Sequence, residues 1–252
     1  SDFVLRIEWK IPKGGNSGVG LRFPPTGDPA HVGMEIQILD DGADEYKNLV
    51  DAQYTGGIYY QAAAKHGVAK PVGEWNQYEI TCLGPHVTVV LNGQVVNDAM
   101  VDTYKEGKGG HAALADRPEI GHVGMQSHGS RVDFRNIEIK NLTKTTASGL
   151  QYVDIKPGDG AVVPAGGKVL IHYTGRLVDG KRFENSRDRE APVEMPLNGV
   201  IPGLQEGIAG MKVGGRRKLI VPPSLGYLKR GDGKLIPPDA TLIFDVEVKG
   251  LP

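Results

Sequence analysis

Two groups of residues in this chain have types and spacings that could do chemistry. The first lies in the amino-terminal half. Glu35 and Gln37 alternate with Met34, Ile36 and Ile38; His122 and Gln126 alternate with Val123 and Met125, and His128 follows on the same parity. On strands, this alternation gathers the polar members on one face. If the strands are neighbours, their polar faces line one concave surface, to which Tyr60, Trp75 and Arg135 could add. Carboxylates and amides bind hydroxyls and an aromatic face packs on a ring, so the surface suits a sugar. Glu35 or His128 could serve there as a base, and Glu35 with Asp40 could form a carboxylate pair. The plainer alternative is an ordinary solvated sheet face. His122 and His128 could approach Glu35 around a metal ion, but seven histidines without tight ligand spacing favour surface positions. No metal and no cofactor is expected.

The second group occupies the last hundred residues. His172-Tyr173-Thr174-Gly175 is followed by Asp179-Gly180-Lys181-Arg182-Phe183, by Val200-Ile201-Pro202-Gly203, and by Ile236-Pro237-Pro238-Asp239-Ala240-Thr241-Leu242. These segments are aromatic, apolar and rich in Gly and Pro. A single aromatic among them would read as core.

The elements that must position these residues are mostly strands. Phe3, Leu5, Ile7 and Trp9 alternate with polar residues, as do Tyr78, Ile80 and Cys82, and Val87, Val89 and Leu91. Asn92-Gly93 between two apolar runs is a hairpin turn, because both residues tolerate positive φ. Near the end of this half the parity breaks, from Val132 and Phe134 to Ile137 and Ile139, which places a bulge at Arg135-Asn136. Tyr59 to Lys65 could form a short helical turn. The first 142 residues therefore read as an antiparallel sandwich. Asn141 to Gly149 is short and polar and reads as a linker. Beyond it, Val169, Ile171 and Tyr173 face one way on a strand, and Leu242, Phe244, Val246 and Val248 another. Residues 201–211 form a short helix that starts at Pro202, where a missing N–H costs nothing, with Leu204, Ile208 and Met211 on its apolar face.

Composition agrees with a soluble, turn-rich protein. The chain has 252 residues, 39% hydrophobic and 23% charged, with 36 glycines. Residues 1–144 hold 14 Lys+Arg against 18 Asp+Glu, and residues 145–252 hold 15 against 12. Neither half attracts nucleic acid by its charge. No run is long enough for a membrane-spanning helix. The single Cys82 forms no intrachain disulfide and sits in an apolar strand pattern, as a buried inert thiol would.

The order and spacing of the carboxy-terminal motifs resemble the FKBP family of peptidyl-prolyl cis-trans isomerases, over roughly Ser148 to Pro252. The amino-terminal region resembles the 3-keto-disaccharide hydrolase-like family, a concanavalin-like jelly roll. That resemblance is carried by Asn16-Ser17-Gly18-Val19, Glu35 to Asp40, Thr55-Gly56-Gly57-Ile58-Tyr59, Trp75-Asn76, Leu91-Asn92-Gly93, Gly124 to Gly129 and Phe134 to Ile137. The family's opening strands are expected to be missing upstream of Ser1, together with any targeting segment. The expected domains are 1–142, a jelly-roll sandwich, and 150–252, an α+β FKBP domain with a curved sheet around one short helix, joined by a linker at 143–149.

The FKBP resemblance implies catalysis by Tyr173, Phe183, Glu184, Tyr227 and Phe244, with substrate held by Arg189, Val193, Val200, Ile201, Leu204, Leu235 and Ile236. The Ile201 N–H and the Tyr227 hydroxyl would donate to substrate carbonyls, and Glu184 and Arg189 would pair beside the pocket. Three positions depart from the family: Leu204 replaces a Trp floor, Glu184 a common Asp, and Val193 a common Phe. The implied clients are proline-containing polypeptides, with a carbohydrate or glycoconjugate as partner of the sandwich. The sandwich resemblance adds a base-driven elimination on 3-keto glycosides, with Glu35, Gln37, Asp40, Tyr60, Gln126 and His128 as the candidate sugar site. The alternative is a glycoside-active enzyme carrying a degenerate FKBP domain used for docking. The implied setting is periplasmic or extracellular, with the cytoplasm as the alternative.

Overall fold

The computed structural model describes residues 2–189 and 191–252. The chain divides into two compact units, Ser1–Leu142 and Thr143–Pro252.

The first unit contains eight strands among its described residues: β1 (Phe3–Lys10), β2 (Asn16–Phe23), β3 (Met34–Leu39), β4 (Asn76–Leu83), β5 (His86–Leu91), β6 (Gln94–Met100), β7 (His122–Met125) and β8 (Asp133–Asn141). They form two open antiparallel sheets, ordered β6-β5-β4-β1-β8 and β3-β2-β7. The alternating apolar positions of β1, β4 and β5 meet those of β2 and β3 in one core, which includes Leu5, Trp9, Val19, Ile36, Tyr78 and Ile80. Cys82 is fully buried in it. The Asn92-Gly93 turn closes β5 on β6 with both φ positive (49° and 82°). The bulge in β8 is also present: Arg6 pairs with Glu138 and Glu8 with Arg135, so two residues oppose Ile7, and Asn136 has φ 49°.

Both faces of β3 are buried, all six residues of it. One face joins the core. The other is covered by irregular chain, including a single turn of helix, α1 (Pro29–Val32), capped by the Asp28 side chain. Residues 59–65 do not form the helical turn expected of them. Ile58 and Ala62 bridge across a tight turn, with Tyr60 in the left-handed region at φ 60°. Its ring lies where a side chain on Gly109 would stand, which holds the turn in place.

The second unit has β9 (Lys144–Thr145), β10 (Gln151–Lys156), β11 (Lys168–Leu177), β12 (Arg182–Asn185), β13 (Val193–Pro196), β14 (Arg216–Val221) and β15 (Leu242–Gly250). Their order is β12-β11-β15-β14-β10-β9, with β13 pairing the first half of β11. The expected linker is part of this sheet. Lys144 and Thr145 pair with Tyr152 and Gln151, Thr146 bonds Leu150, and the fully buried Leu150 anchors the hairpin. A two-residue strand is too short to alternate visibly, so its composition alone suggested a linker.

The helix α2 (Pro202–Ile208) begins at Pro202 as expected and buries Leu204 and Ile208. It lies close on β14 because Gly203 and Gly207 present no side chains to Val221 and Leu219. A Cβ on Gly207 would stand 2.5 Å from Leu219 Cδ2, and Leu219 is fully buried. Overpacking of this kind costs about 1–3 kcal/mol, against up to about 1 kcal/mol gained in helix propensity. Gly207→Ala is therefore expected to lower the melting midpoint of the second unit in calorimetry. An unchanged or higher midpoint would mean that α2 can lift from the strand without loss.

Candidate functional sites

In the second unit, two of the aromatic residues singled out in the sequence, Phe183 and Phe244, meet over Gly175. A Cβ there would stand 2.5 Å from the Phe183 ring and 3.1 Å from the Phe244 ring. Its absence lets the two rings meet edge to face, with centroids 5.7 Å apart and planes at 85°, a favoured aromatic geometry. Leu204, Ile236 and Phe244 are buried in the core, and Tyr173, Phe183, Val200 and Ile201 pack against it partly buried. Val193 stands opposite Ile171 on β13, half-buried.

The polar groups sit around these walls. Tyr173 is held by its backbone N–H donating to Ser186 Oγ at 2.7 Å. Arg189 reaches Glu184 at 3.5 Å. The Tyr173 hydroxyl is pushed up in pKa by burial first and by Glu184 second; that of Tyr227 is pushed up by burial, Asp232 and Glu184. Both hydroxyls therefore keep their protons and can donate. Ile201 caps α2, and its carbonyl accepts from Leu204 and Gln205. Its N–H meets no acceptor among the described residues. Leu235 and Ile236 are set by the Asp232 carboxylate, which accepts the N–H groups of Lys234, Leu235 and Ile236 at 2.9, 2.9 and 2.7 Å. Those bonds hold the Asp232 carboxyl below the usual range. Leu235 is 47% exposed while its neighbour Ile236 is buried. Tyr227 is likewise 37% exposed.

In the first unit, the buried polar face of β3 lines a cavity of about 280 Å³. Glu35, Gln37, Tyr60, Gln126 and His128 all line it, together with Asn16, Asp28, His31, Tyr59 and His111, which the sequence reading did not single out for a site. The face is thus roofed rather than open to bulk solvent: Glu35 and Gln37 are each 2% exposed. Glu35 pairs with Gly20 on β2, and its side chain has room because it reaches diagonally over Gly18, where any Cβ would overlap the carboxyl. Gln126 Nε2 donates to Glu35 Oε2 at 3.2 Å, and Gln37 Nε2 donates to Asn16 Oδ1 at 3.1 Å. Burial, with help from the Asp28 charge, raises the Glu35 pKa to about 7.

Asp40 does not join this cavity. It lies one residue past the end of β3 on the parity of Ile36 and Ile38, accepts the Gly14 N–H at 2.8 Å, and lines a separate cavity with Trp9, His66 and Lys70. The Glu35/Asp40 pair is therefore absent. His122 packs against Phe23 instead. Arg135 stacks 3.9 Å over Trp75 and pairs with Glu8 at 2.7 Å, on the outward polar face of β1.

These folds define two classes on one chain: an antiparallel sandwich with a polar cavity, and a sheet-and-helix unit with an aromatic pair packed on its core. Residues 1–140 match the sequence model of the 3-keto-alpha-glucoside-1,2-lyase-like domain, and residues 160–249 that of the FKBP-type peptidyl-prolyl cis-trans isomerase. The chain belongs to both families, one per unit. The FKBP-type 22 kDa isomerase of Escherichia coli is 45% identical over 109 residues, which are 43% of this chain and 53% of that protein. Fkbp12 of Drosophila melanogaster is 48% identical over 103 residues, covering 40% of this chain and 95% of that one. The chain thus spans about half the length of the Escherichia coli relative and almost all of the Drosophila one. A solved structure from Parabacteroides distasonis, provisionally described as a glycosyl hydrolase, is 33% identical. It has a TM-score of 0.53 and covers 56% of this chain and 78% of its own.

The raised Glu35 pKa has a consequence for stability. The folded state keeps Glu35 protonated up to about pH 7, whereas its ordinary value is 4.5. The group therefore favours folding below pH 4.5, and that contribution is lost as pH rises through about 7. The shift corresponds to at most roughly 3 kcal/mol. Glu35→Gln is expected to flatten the fall in stability of the first unit across this interval in urea titrations. An unchanged pH dependence would contradict the burial of an ionisable carboxyl there.

Proposed function

We propose that the second unit is a prolyl isomerase acting on polypeptide clients. Rotation about an Xaa-Pro bond meets a barrier of about 18–20 kcal/mol and takes tens of seconds or longer unaided. The barrier is amide resonance, so neither a nucleophile nor a metal ion is required. A dry apolar site disfavours the charge-separated form of the amide and eases twisting. The edge-to-face pair of Phe183 and Phe244, in one apolar cluster with the buried Leu204, carries this reading, because it supplies an apolar wall. The Ile201 N–H and the Tyr227 hydroxyl are the donors that orient the client carbonyls. Glu184 and Arg189 flank the site, Val193, Val200, Leu235 and Ile236 complete its rim, and Tyr173 closes one side.

Leu204 gives a smaller floor than an indole, so activity and macrolide binding are expected to be weaker than in relatives with Trp there. In a peptide assay, the parent chain is expected to accelerate Xaa-Pro isomerisation, Phe244→Ala and Tyr227→Phe to slow it at least tenfold, and Leu204→Trp to tighten macrolide binding. No acceleration by the parent would defeat the reading.

A second reading concerns the sandwich, where a buried, near-neutral carboxyl favours carbohydrate processing over an inert surface. Its ligand would be a single sugar ring, with Glu35 the proton-handling group and Gln37, Tyr60, Gln126 and His128 around it. Turnover of a methyl 3-keto-glucoside, slowed at least tenfold in Glu35→Gln, is the expected result. Binding without turnover would leave a carbohydrate-binding module. A periplasmic or extracellular setting goes with this reading, on the strength of the sandwich family, and recovery of the chain outside the cytosol checks it.

A further inference from the structure

The first unit holds a second cavity, of about 570 Å³, which shares no lining residue with the one around Glu35. It lies where β1 and β3 end. Trp9, Ile11 and Leu39 bring buried apolar surface to it, and Asp40 and Asp41, directly after β3, bring carboxylates. Irregular chain between residues 66 and 72 lines the rest, and that segment is tied down. The Lys70 N–H donates to Oδ1 of the buried Asn76 at 2.8 Å, Asn92 Nδ2 donates to the Val68 carbonyl at 3.0 Å, and the Gly73 N–H donates to the Ile11 carbonyl at 2.9 Å. The cavity is therefore built into the sandwich, and its size suits a small ligand.

Its polar groups are only half used. Trp9 is 1% exposed, and its indole N–H has no acceptor among the described residues. A buried indole N–H ordinarily finds one. Asp41 Oδ1 accepts the N–H and the hydroxyl of Thr55 at 3.0 and 2.8 Å, and Asp40 Oδ2 accepts the Gly14 N–H at 2.8 Å. These bonds fix each carboxylate through one oxygen and leave the other without a hydrogen-bond partner among the described residues. Burial pushes the Asp41 pKa up against the opposing pull of Thr55 and His66, so its charged form gains from further donors. The ammonium of Lys70 is engaged at the Trp75 carbonyl, 3.1 Å away. Tyr54 is held by donating its hydroxyl to the Tyr46 carbonyl at 2.8 Å, and its ring lies 4.9 Å from that of His66.

These groups select the ligand by what they lack. The indole needs an acceptor, and the carboxylates need donors. An ammonium ion serves the carboxylates alone. A phosphate or carboxylate serves the indole alone and is repelled by Asp40 and Asp41. A trans amide points its N–H and its carbonyl in opposite directions. A hydroxyl both donates and accepts, and adjacent hydroxyls on a ring present both functions along one edge. The C–H face of such a ring packs on aromatic and apolar surface of the kind Trp9, Tyr54 and Ile11 supply. We propose that this cavity is a binding site for a neutral pyranose, one hydroxyl accepting from Trp9 Nε1 and its neighbours donating to Asp41 and Asp40. The site holds the sugar without acting on it. It does not depend on the carbohydrate-processing reading of the Glu35 cavity.

The chain has two tryptophans, Trp9 and Trp75, so an isotope-labelled full chain gives two indole N–H signals, which Trp75→Phe assigns. Methyl α-glucoside and methyl β-galactoside are the probes, with an acetylated dipeptide amide and tetramethylammonium as controls. The Trp9 signal is expected to move saturably with at least one glycoside and with neither control. Asp41→Asn keeps an acceptor for Thr55 and replaces the second oxygen, and it is expected to raise the saturation midpoint about tenfold. If Asp41→Asn does not fold, Val72→Phe at the 42%-exposed rim fills the mouth and is expected to abolish the shift. Glu35→Gln lies in the other cavity and is expected to leave the shift intact. A Trp9 signal that no glycoside moves, or that answers to the amide or the ammonium ion instead, would overturn the proposal. So would a shift lost in a folded Glu35→Gln chain, which would place the sugar in the other cavity.

Discussion

A missing side chain on a strand makes the room for each site. Gly175 on β11 leaves the space into which the Phe183 and Phe244 rings meet, and Gly18 on β2 leaves the space occupied by the Glu35 carboxyl. In a close-packed interior no other atoms could yield that space without strain. Strand glycines ordinarily weaken a sheet, and a close approach from a neighbouring group is one reason to keep them. Gly203 and Gly207 apply the same device to a helix, bringing α2 down onto β14 so that Leu204 reaches the core. The two sites differ in chemistry but share this means of construction.

What fills each space sets its electrostatics. Around Gly175 the occupants are hydrocarbon, and the charged pair Glu184 and Arg189 stays at the partly exposed rim. A neutral amide twisted there, as proposed, would need no titrating group. Over Gly18 the occupant is ionisable, and burial decides its state: the carboxyl holds its proton near neutral pH while the nearby His111 sheds its own. One unit thus sets aside apolar aromatic walls, and the other holds groups of opposite pKa shift in one small cavity.

Much of this was legible in the sequence. Period two in β1, the Asn92-Gly93 turn, the bulge at Asn136 and the Pro202 helix start each follow from a local rule, and each is present. Alternation also placed Glu35, Gln37 and Gln126 on faces that do converge. It could not tell that the face was roofed, because the roof is irregular chain without periodicity. His31, Tyr59 and His111 lie in that roof, and no spacing rule connects residue 111 with residue 35. Asp40 falls outside the cavity because it keeps the parity of Ile36 and Ile38, opposite to that of Glu35 and Gln37. The 143–149 hairpin was hidden by its polar composition, since its anchor is the single buried Leu150 just beyond it.

The account stands or falls on whether a proline peptide settles on the aromatic wall and turns over there. An isotope-labelled full chain titrated with a short Xaa-Pro peptide reports both in one magnetic resonance experiment. Resonances of Phe183, Ile201, Tyr227 and Phe244 are expected to move together, while the cis and trans signals of the peptide broaden by exchange at catalytic amounts of protein. Shifts confined to other residues, or sharp peptide signals at every ratio, would contradict it.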